Sequence, residues 1–97
     1  MPAYMIIRVA ADHPALLKAY QAATPPIIEK YHGKFIARGG ATVTLEGPTE
    51  SRRIAIIEFP ELSDARDFYH SPEYAEARKL RESIATFEFI ATEGVKY

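Results

Sequence analysis

The chain predicts an α+β fold: one four-stranded antiparallel sheet, built in the order β-α-β-β-α-β, with the helices on one face. Three observations carry that expectation. Four strand-length apolar segments, Ala3 to Val9, Lys34 to Gly40, Arg53 to Phe59 and Thr86 to Val95, can each be split into two faces by taking every second residue. Between the first and second segments, and again between the third and fourth, the apolar spacing changes from two residues to 3.6. A chain of 97 residues holds one such domain, spanning residues 1–97.

The first strand ends near Ala10, where Asp12 is placed to cap a helix and Pro14 falls in its first turn. Leu17, Tyr20, Thr24, Ile28 and Tyr31 then form a helical stripe. Pro25 and Pro26 lie inside it and are expected to kink it, because the apolar phase continues past them. His32-Gly33 closes the helix, with Gly33 as the left-handed residue. The second strand runs into Arg38-Gly39-Gly40, and Ala41 to Leu45 are read as a short extension that could pair. Glu46-Gly47-Pro48 is turn chemistry, the third strand begins near Arg52, and Pro60 stops it. Leu62, Ala65, Phe68 and Tyr69 make one amphipathic helix. Ser71-Pro72-Glu73 then reads as a new N-cap, and Tyr74, Ala77, Leu80 and Ile84 as the buried stripe of a second helix. In that reading Arg78, Lys79, Arg81 and Glu82 point mostly outward.

The two faces of the sheet differ in chemistry. One collects Met5, Ile7, Val9, Phe35, Ala37, Ala55, Ile57, Phe59, Phe87, Phe89 and Ala91, and must lie under the helices. The other collects Tyr4, Ile6, Arg8, Ile36, Arg38, Ile54, Ile56, Glu58, Glu88 and Ile90. It is too apolar to stay wet and too charged for an ordinary core. The economical occupant is a second copy, giving a homodimer with the two sheets face to face. In the strand order 4-1-3-2, Arg8 and Glu88 fall near one another and Glu58 belongs nearer the other end.

Composition narrows the partners. Twelve basic and thirteen acidic residues are interspersed, for a net charge of −1, which argues against nucleic acid and anionic membranes. The open central strands offer isoleucines where an RNA-binding sheet needs aromatic rings. With no cysteine, disulfides, thiolate metal sites and cysteine nucleophiles are excluded. No apolar run is long enough to span a bilayer, and the N-terminus enters a strand directly, so a soluble cytoplasmic protein is expected. His13, His32 and His70 show no metal-ligand spacing, and no metal or cofactor is expected.

Gly33-Lys34-Phe35-Ile36-Ala37-Arg38-Gly39-Gly40, Leu45-Glu46-Gly47, Ile57-Glu58-Phe59-Pro60 and Phe68-Tyr69-His70-Ser71-Pro72-Glu73-Tyr74 resemble, in order and spacing, the domain-of-unknown-function 1330 family. The likeness runs from Tyr4 to Gly94. It implies a ferredoxin-like protomer of the dimeric α+β barrel superfamily, whose members include small monooxygenases, lactone isomerases and haem enzymes. Such breadth means that the fold does not choose the reaction. The chain has no Trp, so the Trp-dependent haem-degrading arrangement of some members does not carry over.

Candidate site residues follow from chemistry. Arg38 can offer a guanidinium fork to a carboxylate while Gly39 and Gly40 allow close approach to the backbone; the same triplet serves equally as a strand-end bulge or turn with Arg38 in a structural pair. Glu46, Glu58 and Glu88 are the candidate acids, Glu58 and Glu88 sharing the mixed face with Arg8 and Arg38. Glu58, if buried alone, would move protons, and otherwise it belongs to an interface ion pair. Tyr20, Tyr69 and Tyr74 can line a pocket under the helices with hydroxyl donors, or pack as core residues with one wet end. His70 beside Tyr69 is a candidate base. Ser71 suits a cap better than a nucleophile. The catalytic candidates are thus Arg38, Glu58, Tyr69 and His70. The ligand-binding candidates are Tyr20, Arg38, Gly39, Gly40, Glu46, Ser71 and Tyr74. The function these suggest is cofactor-independent chemistry on a small organic acid or aromatic; the alternative is a non-catalytic small-molecule-binding or stress-related dimer.

Overall fold

A computed structural model describes residues 1–95. The elements are β1 (Ala3–Ala11), a 3-10 turn (Pro14–Leu17), α1 (Lys18–Lys30), β2 (Lys34–Arg38), β3 (Arg53–Phe59), α2 (Leu62–Tyr69), α3 (Pro72–Arg78) and β4 (Ala85–Glu93). The sheet has the order β2-β3-β1-β4, antiparallel throughout, as expected from the alternation. Met5 sits opposite Ile57 and Ala91, and Ile7 opposite Ala55 and Phe89, so the uncharged face is continuous across three strands. Onto it pack Tyr20 and Ile28 of α1, Ala65 and Phe68 of α2, and Tyr74 and Ala77 of α3. Phe59, Phe68 and Tyr74 are fully buried and stack through ring contacts of 5.8 and 4.9 Å. The opposite face has no helix. There Ile36 is 50% exposed and Ile90 58%.

Several local expectations change. Asp12 caps nothing: His13 is the residue before the first turn, and it makes no side-chain cap bond. α1 runs through Pro25 and Pro26 without ending. At its C-terminus the left-handed residue is His32, at φ 69°, and not Gly33. Gly33 N–H donates to Ile28 O at 2.9 Å and His32 N–H to Glu29 O at 3.0 Å, the paired bonds of a Schellman closure. Gly33 is needed for space instead. A Cβ there would lie 2.6 Å from Phe59 Cε1 and 2.9 Å from Ile28 Cγ2.

β2 contains a bulge. Phe35 pairs with Ile57, but the next pair is Ala37 with Ile56, leaving Ile36 extra. One inserted residue reverses the alternation beyond it. Arg38 therefore pairs with Ala55 and joins the helix-covered side, correcting its assignment to the mixed face, while Ala37 moves the other way. Residues 41–45 form no strand: Val43 is 72% and Leu45 89% exposed. α3 also stops early, at Arg78, and the chain continues in tight i to i−3 turns to Ile84, with Ser83 at φ 64°. Leu80 is left exposed and Arg81 is buried, the reverse of the sequence reading.

Candidate functional site

Two concave regions flank the rings of Phe87 and Phe89, and the candidate residues divide between them. The first lies between α1 and the sheet. Ile7, Val9, Leu17, Ile28, Phe35 and Ile57 make an apolar interior that encloses about 60 Å³, room for a few waters. Arg38, Arg53 and Gln21 also line it, as does Tyr20.

The position of Arg38 follows from proline chemistry. Pro25 has no N–H, so the Gln21 carbonyl lacks the helical donor four residues on. Arg38 Nη2 donates to that carbonyl at 3.0 Å, and its guanidinium stacks 4.4 Å from the Phe35 ring. Arg53 lines the same cavity and lies against Gly39, where a Cβ would meet Arg53 Nε at 2.3 Å. Gly39 itself has φ 69° and needs glycine on both grounds. Among the described residues no carboxylate lies within 4.0 Å of either arginine. The cavity's cationic side is uncompensated.

Behind the Tyr20 ring, Tyr20 Oη and Tyr74 Oη are 2.6 Å apart, and Arg81 Nη2 donates to Tyr74 Oη at 3.3 Å. Burial, then the neighbouring Tyr74 oxygen, pushes the Tyr20 phenol far above its ordinary value; burial also raises Tyr74. Both hydroxyls stay protonated at physiological pH. They can donate hydrogen bonds and cannot serve as bases.

The second region is an open groove between α2, the turn after α3, and β4. Tyr69, His70, Arg66, Arg78 and Arg81 line it over Met5, Phe87, Phe89 and Ile90. Arg78 Nη1 donates to Tyr69 Oη at 3.3 Å. Tyr69 and His70 are therefore neighbours in the groove, with ring centres 5.3 Å apart, but they stand apart from the Arg38 cavity.

The remaining candidates lie elsewhere. Glu58 is not alone: Tyr4 Oη donates to it at 3.3 Å and Lys34 Nζ lies 3.4 Å away. That placement suits an ion pair on the open sheet face. Ser71 is buried, accepts from Tyr74 N–H at 3.0 Å and donates to Phe68 O at 2.8 Å, the cap that the sequence predicted. Gly40 and Glu46 are exposed in the loop after β2, outside both concavities. Among the described residues no group of His, Asp and Glu could hold a metal ion.

Arg8 and Glu88 are register partners, as expected, but their bonds run to other residues. Arg8 Nε donates to Glu50 Oε1 at 3.1 Å, and Arg52 bridges Glu50 at 2.8 Å and Glu88 at 2.6 Å. The Arg52 hydrogen bonds hold the Glu50 carboxyl down at about 2. Sequence reasoning missed Glu50 and Arg52, because the loop that returns them over the sheet has no periodicity to read. It also missed Arg81, although a signal was present: Arg81 lies seven residues after Tyr74 and four after Ala77, the buried phase of that helix.

Comparison with known proteins agrees with this fold. A family model described as a domain of unknown function (DUF1330) matches residues 2–95. A crystal structure of a protein of unknown function from Rhodopseudomonas palustris is 25% identical, with 99% of this chain and 84% of that one covered and a TM-score of 0.75. SnoaB, a cofactor-independent oxygenase from Streptomyces nogalater, is 14% identical, with 99% and 95% covered and a TM-score of 0.69. A dimeric protein of unknown function with a ferredoxin-like fold, from Bacteroides fragilis, is 18% identical, with 96% of each chain covered and a TM-score of 0.63. No curated protein sequence matches.

Proposed function

Since the chain belongs to the DUF1330 family and has its ferredoxin-like fold, we propose that it is a homodimer that binds a small organic acid and acts on it without a cofactor. The observation that carries this reading is the cavity under α1: an apolar interior with two uncompensated guanidinium groups and a protonated phenol among its lining residues. A carboxylate would meet Arg38 and Arg53, its apolar end would enter among Ile7, Leu17 and Phe35, and Tyr20 would donate to a polar atom carried inward. The enclosed space is smaller than the roughly 300 Å³ of a typical ligand site. A ligand of ordinary size would therefore have to widen the cavity or lie partly in its mouth. SnoaB, described as a cofactor-independent oxygenase, supports the reading only by showing that this fold hosts such chemistry in that protein.

The dimer rests on the open face of the sheet. Ile6, Ile54 and Ile56 run across it, with Ile36 and Ile90 half exposed, and Arg8, Glu50, Arg52 and Glu88 form a charge-balanced cluster beside them. Two copies packed face to face would cover the isoleucines. A neighbour of the same fold from Bacteroides fragilis is described as dimeric. A cytoplasmic site of action goes with this reading; among the described residues no helix is long and apolar enough to cross a membrane.

A second reading, binding without turnover, is favoured by one feature: among the described residues the cavity lining has no carboxylate or imidazole. A panel of small carboxylates in a thermal-shift assay, with mass spectrometry of the recovered ligands, tests both. The proposal expects several acids to raise the melting temperature and the Arg38→Met, Arg53→Met double variant to lose the effect. A recovered ligand chemically unchanged after long incubation favours binding alone. If no acid stabilises the protein, or the double variant responds like the parent, the reading is wrong.

A further inference from the structure

Arg81 is the least expected residue in the molecule. It is 9% exposed, and its Nε is fully shielded with no hydrogen-bond partner. A guanidinium carries five N–H donors and cannot shed its charge. Here its donors are directed to Tyr74 Oη and towards Tyr20, Nε is left without a partner, and among the described residues no carboxylate lies within 4.0 Å. The group stacks 4.2 Å from the Phe87 ring and 5.5 Å from the Phe89 ring. Aromatic faces offset part of the cost of burying a cation, but they do not satisfy its N–H donors.

Burying a charge without a counter-charge is expensive, and proteins retain such groups where something else supplies the partner. The surroundings describe that partner. Arg81 lines the groove between α2 and β4, together with Arg66, Arg78 and His70; the acid there, Glu82, lies 3.8 Å from Arg78. The groove thus carries an excess of positive charge. Its floor is aromatic: the Phe87 and Phe89 rings stack with centres 6.0 Å apart, and Tyr69 packs 5.1 Å from Phe89.

We propose that this groove is a second binding site, separate from the cavity under α1, and that it takes a carboxylate with a flat apolar body, the carboxylate paired to Arg81 and the body lying on Phe87 and Phe89. A carboxylate matches the planar donor fork of a guanidinium, and a ring matches the floor. Tyr69 and His70, which the sequence suggested as functional, border this site and not the first. Tyr74 joins the two places, since it accepts from Arg81 and bonds Tyr20 of the cavity.

The test uses benzoate as probe and benzyl alcohol as the neutral control, followed through the Arg81 Nε–H signal in NMR titrations of the full chain. A buried Nε–H exchanges slowly enough to be seen, and because Nε itself is shielded it reports a carboxylate on the Nη groups through the shared guanidinium. The expected result is a saturable shift of this signal with benzoate and none with benzyl alcohol. Arg81→Met should weaken benzoate binding at least tenfold while melting no lower than the parent, because it removes an uncompensated charge. Arg81→Lys, which keeps the charge and loses the fork, should also bind more weakly. An unmoved Nε–H signal at tens of millimolar benzoate overturns the proposal. So does binding that survives Arg81→Met, and if that binding is instead lost in the Arg38→Met, Arg53→Met variant, the cavity reading stands while this one falls. A strongly destabilised Arg81→Met variant, with Arg81→Lys binding like the parent, would make Arg81 a structural residue and also overturn it.

Discussion

The end of α1 makes a prediction in which two neighbouring residues should respond with opposite signs. His32 holds a left-handed conformation, φ 69°, that costs a residue with a Cβ about 1–2 kcal/mol. Replacing it with glycine removes that strain, and the freer unfolded chain takes back roughly 0.5–1 kcal/mol. His32→Gly should therefore stabilise by about 0.5–1 kcal/mol, since its side chain is exposed and packs on nothing that the closure needs. Gly33→Ala should do the reverse. Its new Cβ would sit 2.6 Å from Phe59 Cε1 and 2.9 Å from Ile28 Cγ2, against ordinary contacts of 3.4 Å and more. Phe59 is 0% exposed and cannot swing away. Overpacking of this kind costs about 1–3 kcal/mol. For a domain of this size the melting temperature should fall by roughly 5–15 °C. Urea unfolding of both variants measures the signs, and a cycle with Phe59→Leu identifies the cause. If the clash is with the ring, Gly33→Ala should cost at least about 0.5 kcal/mol less in the Phe59→Leu background. Additive effects, or a destabilising His32→Gly, would refute the assignment of strain to His32 and of crowding to Gly33.

Three further outcomes are expected. Ile56→Asp places a charge among the isoleucines of the open face and should convert the proposed dimer to monomer in light scattering at micromolar concentration; a monomeric parent would refute the assembly. Tyr74→Phe leaves the Tyr20 hydroxyl and Arg81 Nη2 without their shared partner, and urea unfolding should show a loss of about 1–3 kcal/mol. The third concerns acid. The Glu50 carboxyl is held at about 2, well below its ordinary value near 4.5, so the folded state binds its proton less readily than the unfolded chain does. Its contribution is complete above about pH 4.5 and is lost as pH falls towards 2. Glu50→Gln should flatten the stability profile across that window, and an unchanged acid limb would count against the cluster.

Much of the architecture was legible in the residues because strand alternation and helical spacing are local signals. The four strands, the Ser71 cap and most of the apolar face under the helices follow from spacing and capping chemistry, and the order β2-β3-β1-β4 is the usual one for such a β-α-β-β-α-β chain. The site was less legible, and the reasons are specific. A single bulge at Ile36 carried Arg38 to the other side of the sheet, an event set by pairing with β3 and invisible in the segment itself. Arg81 was read as outward because it is charged, although its phase placed it inward. Glu50 reached Arg8 and Arg52 only because the loop folds back over the sheet.

What the sequence determined by itself was the division of the chain into elements and the two chemically unlike faces, since a backbone period acts on every residue it contains. What only the tertiary structure decided was which charged groups meet: Arg38 with a carbonyl orphaned by Pro25, Tyr20 with Tyr74, and Arg81 with no acid at all. The first two meetings join residues 17 and 54 positions apart with local bends between them, and such distances are settled by packing alone.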